Sequence, residues 1–249
     1  LVQIQSPRPP KLDHGNLSLA AVTSDRMAVS SNNRSTAGFE GAREQMVRIQ
    51  LLDRGVRDPR VVDAMQKVPR HLFVEPALIN RAYDDDPLPI GGKQTISQPY
   101  IVGYMLQALN LKGTERILEI GTGSAYQTAL LAELCINVFS MERRRELAVQ
   151  ARTRLDELRY YNVAIHLGDG SLGWSEHAPY DAIVVAAAAP RVPEPLTQQL
   201  SPGGRLIMPI GDHQSQNLKL MVRGPTGVEE TDLGGCRFVK LLGRYGWPG

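Results

Sequence analysis

Between Arg116 and Leu131 the chain reads R-I-L-E-I-G-T-G-S-A-Y-Q-T-A-L-L. An apolar run suited to a strand meets Gly121-Thr122-Gly123, where residues without a Cβ let the backbone turn sharply and approach a ligand, and a helix is expected to begin near Ala125. In open α/β sheets ligands bind in the crevice outside the carboxyl ends of the strands. Two further turns carry chemistry suited to such a crevice. Glu142 closes the next apolar run about 20 positions after Gly121, where a carboxylate can accept both hydroxyls of a ribose. Gly168-Asp169-Gly170 ends a third run, where a carboxylate can receive an adenine amino group and glycines let a ring lie close. Together the three turns point to a nucleoside-containing ligand.

Charge selects among such ligands. A dinucleotide fingerprint needs a third glycine, and its position holds Tyr126. Glu119, two residues before Gly121, would repel a pyrophosphate and suits a cation, such as the ammonium and sulfonium of S-adenosylmethionine. The methyl donor is therefore expected rather than NAD.

These turns need a sheet to hold them. Strands are expected over Arg116–Ile120, Asn137–Met141, Ala164–Leu167, Ala182–Ala186 and Gly204–Pro209, with helices between the first four, which predicts a doubly wound, mainly parallel sheet. Leu218–Val222, Val228–Asp232 and Phe238–Leu241 are expected to close its edge as antiparallel strands. Upstream, Met46, Ile49, Leu51 and Leu52 recur at helical spacing before Gly55, and a second helix is expected from Pro59 to just before Pro69. A Gly- and Pro-rich connection from Asp84 to Pro99 then precedes a helix over Tyr100–Leu109. Connections of that length inside a compact domain are usually functional.

Residues 1 to 38 contain no aromatic residue, and Pro7, Pro9 and Pro10 sit among scattered serines, a composition that predicts a disordered extension ahead of one domain over 39–249. Within that domain, 39–99 is expected to hold the helical segment and the long connection, and 100–249 the cofactor-binding sheet with its closing strands. Arg8, Lys11, Arg26 and Arg34 against Asp13 and Asp25 account for the chain's whole net charge of +2. The remainder is neutral and offers no electrostatic footprint for nucleic acid. No run approaches the length of a membrane span. A soluble, cytoplasmic monomer is expected, with Cys135 and Cys236 as buried thiols. The five histidines are scattered and read as structural or exposed, and Asp84-Asp85-Asp86 as solvated loop. No metal site is expected.

Several longer motifs resemble the protein L-isoaspartate (D-aspartate) O-methyltransferases over roughly Ala42 to Leu241. They are V-P-R-H-L-F-V from Val68, L-P-I-G-G-K-Q-T-I-S-Q-P-Y from Leu88, L-E-I-G-T-G-S-A-Y-Q-T-A from Leu118, G-D-G from Gly168, P-Y-D-A-I-V-V from Pro179 and R-F-V-K-L from Arg237. The glycine loop alone marks a methyltransferase, whereas Q-T-I-S-Q-P is far more specific. Two positions depart from the family pattern. Ala125 replaces a glycine, which a helix N-terminus should accept, and Lys240 replaces a proline.

The resemblance implies the Rossmann-like methyltransferase fold and methyl transfer from S-adenosylmethionine to the α-carboxylate of isoaspartyl residues in damaged proteins and peptides, with D-aspartyl sites as further acceptors. Ser97 is the implied catalytic residue. Cofactor contacts are expected from Thr95, Ile96, Ser97, Glu119, Gly121, Thr122, Gly123, Ser124, Glu142, Arg143, Asp169 and Gly170, and substrate contacts from Gln94, Thr95, Ser97 and Val239, the last on an exposed strand edge. A carboxylate acceptor is already ionised at pH 7 and needs no general base. A small-molecule methyltransferase and a non-catalytic nucleoside-binding protein are the alternatives. A methyltransferase of nucleic acid is a further alternative, against which Ala186 to Pro190 lacks the Asn/Asp-Pro-Pro-aromatic motif usual in base-modifying relatives. For Ser97, the competing role is a cap on the helix that follows.

Overall fold

The computed structural model describes residues 38–212 and 214–248, so the expected extension lies outside them except for Gly38. Phe39–Gly249 forms one compact unit.

The helical layer begins with α1 (Glu40–Gln45), which widens into π-type turns over Met46–Leu51 and ends at Gly55 with φ 89°. Helix α2 (Pro59–Lys67) starts where its sequence provides both signals. The Asp58 side chain accepts the N–H groups of Arg60 and Val61, and Pro59 fills the first turn, where its missing N–H costs nothing. Its buried face is Val61, Ala64 and Met65. The long connection is ordered as a short hairpin of β1 (Leu88–Pro89) and β2 (Thr95–Ile96), turned through Gly91 and Gly92, both at positive φ. Helix α3 (Pro99–Leu109) follows, burying Val102, Met105, Leu106 and Leu109.

Strands β3 (Arg116–Ile120), β4 (Asn137–Glu142), β5 (Val163–Leu167), β6 (Tyr180–Val185) and β7 (Leu200–Gly211) pair in parallel. Strands β8 (Gln216–Arg223) and β9 (Val228–Cys236) add an antiparallel edge, giving the order β5-β4-β3-β6-β7-β8-β9. The chain leaves β3 toward β4 and β5 and then crosses back to β6. The crevice at the carboxyl end of β3 is thus the switch point of a doubly wound sheet.

Helices α4 (Tyr126–Leu134) and α5 (Arg145–Glu157) fill the first two crossovers. The third differs from expectation: between β5 and β6 there are only single turns, Gly170–Leu172 and Ser175–His177. Gly168, Gly170 and Gly173 leave no uninterrupted window for a helix there. A short helix α6 (Glu194–Gln198) precedes β7. Phe238–Leu241 is also not a sheet strand; it makes one isolated bridge, Lys240 to Ala188, across the carboxyl ends of the strands.

Strand alternation divides the core. Ile117, Val138 and Val184 pack under the helices on one face, while Leu118, Ile120, Ile183 and Val185 pack on the other with Leu196. Among the described residues, no helix is long and apolar enough to cross a membrane. Asp84 and Asp86 pair with Arg81, and Asp85 with Arg54, so the acidic run is an exposed ion-pair patch.

Candidate active site

The turn after β3 is built on backbone that glycine adopts readily. Gly121 and Gly123 have φ 99° and 52°, and the Gly121 N–H donates to the carbonyl of Met141 at 2.9 Å. Ala125 also lies at positive φ, 72°, as the residue capping α4. An alanine there is strained by about 1 kcal/mol, more than a helix N-terminus by itself would imply. Its methyl is fully buried and returns about 0.8 kcal/mol, so the glycine of the family pattern is dispensable. Behind the loop, the Arg70 guanidinium lies 4.9 Å from the centre of the Tyr126 ring and donates from Nε to the Ala82 carbonyl at 2.7 Å. The helical layer is thereby fastened to the first turn of α4.

Glu142 ties this loop to the next strand. One carboxylate oxygen accepts the Gly123 N–H and the other the Arg144 N–H, both at 2.9 Å. Facing it is the β1–β2 hairpin, close enough that a Cβ on Gly123 would lie 3.3 Å from Ile90 Cδ1. Between them opens a cavity of about 470 Å³.

Gln94, Thr95, Ile96 and Ser97 line this cavity from the hairpin side. Gly121, Thr122, Gly123, Ser124, Glu142 and Arg143 line it from the sheet side, with Gly170 and Val239. Helix α3 is capped by the Gln98 backbone with no side-chain bond, so Ser97 does not serve as its cap. Residues separated by more than a hundred positions thus line one cavity.

Two expected contacts lie elsewhere. Glu119 alternates with Ile120 along β3 and so faces the side covered by α4, where it is fully buried and does not line the cavity. Its carboxylate accepts Thr128 Oγ1 at 2.5 Å, Ser140 Oγ at 2.6 Å and Gln127 Nε2 at 3.2 Å. Burial raises its pKa to about 7 despite these donors. Because Ser140 is 2.6 Å from Thr122 Oγ1, Glu119 acts on the glycine loop through a hydroxyl chain rather than on a ligand directly.

Asp169 also turns away from the cavity. Its oxygens accept the Ser171 N–H and hydroxyl at 2.9 and 2.7 Å and the Arg244 N–H at 2.8 Å. Burial would raise this carboxyl, but the three donors outweigh it and hold it below the ordinary value. Asp169 thus fastens the C-terminal segment to the turn after β5.

Val239 lines the cavity but not from a sheet edge. Its carbonyl accepts the Ala188 N–H at 2.8 Å, and the Leu241 N–H returns to the Ala188 carbonyl at 2.8 Å. The cavity also includes residues not among the expected contacts, among them Val102, Arg144, Arg145, Ala186, Ala187 and Lys240. The alanine run after β6 carried the one available signal: small side chains at a strand's carboxyl end admit a close approach. A Cβ on Gly121 would sit 3.5 Å from that of Ala186.

A glycine turn at the switch point, an acidic residue ending the neighbouring strand and a hairpin closing the crevice define the Rossmann-like methyltransferase class. The model of the protein-L-isoaspartate(D-aspartate) O-methyltransferase family matches residues 42–246, and the chain belongs to that family. It is 56% identical over 211 residues to protein-L-isoaspartate O-methyltransferase 1 of Syntrophobacter fumaroxidans, covering 85% of this chain and 99% of the relative. A solved protein-L-isoaspartate O-methyltransferase superposes with a TM-score of 0.75 at 29% identity, over 82% of this chain and 67% of the other. A Plasmodium falciparum β-aspartate methyltransferase, solved with S-adenosyl-L-homocysteine, gives 0.69 at 26% identity over 82% and 97%.

Proposed function

We propose that this protein is a repair enzyme that methylates the α-carboxylate of L-isoaspartyl residues in damaged proteins and peptides, using S-adenosyl-L-methionine and releasing S-adenosyl-L-homocysteine. The observation that carries the reading is the meeting of the Gln94–Ser97 hairpin with the glycine loop and Glu142 around one cavity.

The residues present fit the donor. Gly121 and Gly123 keep the loop backbone bare, and Glu142 presents a buried carboxylate at the cavity wall. When bound there, the donor supplies an electrophilic methyl on a sulfonium. Glu142 accepts ribose hydroxyls, and Ile120 and Gly170 provide an apolar slot for a ring. Thr122 and Ser124 orient the polar end.

Ser97 donates its hydroxyl hydrogen bond to the acceptor carboxylate and acts as an orienting group. No base is needed, because that carboxylate is ionised at neutral pH. Ile96, Val102 and Leu241 exclude water beside the reacting charges, and a drier site favours a step in which opposite charges neutralise. Gln94, Thr95 and Val239 hold the acceptor chain. On this reading the enzyme works in the cytoplasm as a monomer without a nucleic-acid partner, and D-aspartyl sites are secondary acceptors.

Methyl-labelled donor with matched isoaspartyl and aspartyl peptides tests this function. Label should enter the isoaspartyl peptide selectively. Equal labelling of both would overturn the substrate, and labelling of neither with donor binding intact would overturn the activity.

A further inference from the structure

Lys240 occupies an exposed backbone edge at the mouth of the cavity. Its bridge to Ala188 uses the carbonyl of Val239 and the N–H of Leu241, both at 2.8 Å. In such an extended stretch the N–H and carbonyl of the middle residue point the opposite way. Those of Lys240 have no hydrogen-bond partner among the described residues.

The side chain is exposed as well. Its ammonium lies 5.5 Å from the centre of the Trp247 ring, and no carboxylate stands within ion-pair distance among the described residues. The same rim carries Arg143, Arg144 and Arg145, none in a salt bridge among the described residues, against the exposed carboxylate of Glu146. Glu142 and Glu146 are the two carboxylates among the residues lining the cavity, against the four cations Arg143, Arg144, Arg145 and Lys240. The mouth of the cavity is therefore net basic although the chain beyond residue 38 is neutral.

We propose that Lys240 is a specificity-determining residue that favours isoaspartyl sites with acidic neighbours in the acceptor chain, an inference that rests on the proposed function. An extended acceptor can add to the free edge through main-chain bonds, which are indifferent to sequence and leave discrimination to adjacent side chains. An ammonium beside that edge attracts acidic neighbours and repels basic ones. The proline of the family pattern has neither an N–H nor a charge. Lys240 brings both to this position.

The test uses the full chain and two isoaspartyl peptides that differ only in the residues flanking the isoaspartate, Glu in one and Lys in the other. At low ionic strength kcat/KM should favour the Glu peptide by about two- to fivefold per flanking charge, the scale of an exposed ion pair. Lys240→Gln should lower that ratio by a similar factor, Lys240→Arg should keep it, and added salt should shrink it in the wild type. Equal kcat/KM for the two peptides, a preference for the Lys peptide, or a ratio unmoved by Lys240→Gln overturns the inference. Methylation of neither peptide overturns the proposed function itself.

Discussion

Glu142 holds the N–H of Gly123 at 2.9 Å, so the carboxylate that ends β4 also sets the curvature of the loop that ends β3. Its second oxygen holds the Arg144 N–H at the same distance. One side chain thereby ties the loop after β3 to the turn after β4.

Glu142→Ala should weaken donor binding more than it weakens the fold. A hydrogen bond to a charged group contributes about 1.5–3 kcal/mol, so KM for the donor should rise about tenfold to a hundredfold. Initial rates at varied donor, alongside a thermal melt, separate the two effects. An unchanged KM would remove Glu142 from the binding site.

Ser97→Ala should lower kcat about tenfold or more through loss of one donor to a charged acceptor, with Tm unchanged. The basis is local: Ser97 lines the cavity and does not cap α3. A lowered Tm with wild-type turnover would mark a structural serine instead.

Glu119 makes stability depend on pH in an unusual direction. Its folded pKa, about 7, is raised above the ordinary 4.5, so the folded chain holds a proton that the unfolded chain has released. Stability should therefore fall as pH rises from about 4.5 to 7 and level off above, by roughly 3 kcal/mol at most. In urea denaturation across that range, Glu119→Gln should flatten the slope, and an identical slope in the variant would contradict the assignment.

Gly170→Ala should destabilise the protein by about 1–3 kcal/mol, the usual range for an overpacked core. A Cβ at that position would run into Cγ2 of Ile120, which is buried and itself lines the cavity. Donor affinity should fall together with Tm, as isothermal titration and a melt would show.

The glycine loop was legible because an apolar run that ends in Gly-Thr-Gly leaves few conformations open. Q-T-I-S-Q-P was legible by resemblance, although sequence alone could not show that its serine faces the cavity. Glu119 was misplaced because its closeness to Gly121 along the chain outweighed strand alternation, which puts it with Ile117 beneath α4. Phe238–Leu241 has the composition of a strand, but its one β-bridge among the described residues is to Ala188, and no local pattern encodes that pairing. Arg144 and Lys240 enter the cavity through tertiary placement alone.

Gln94 and Leu242 line the same cavity, and the Arg244 N–H is fastened to Asp169. A ribosome therefore releases every strand of the sheet before it releases the last wall of the pocket. The cavity lacks its lining of Val239, Lys240, Leu241 and Leu242 until the segment around Lys240 has emerged. A chain that stops short of that segment would keep every strand of the sheet and lack four residues that line the cavity.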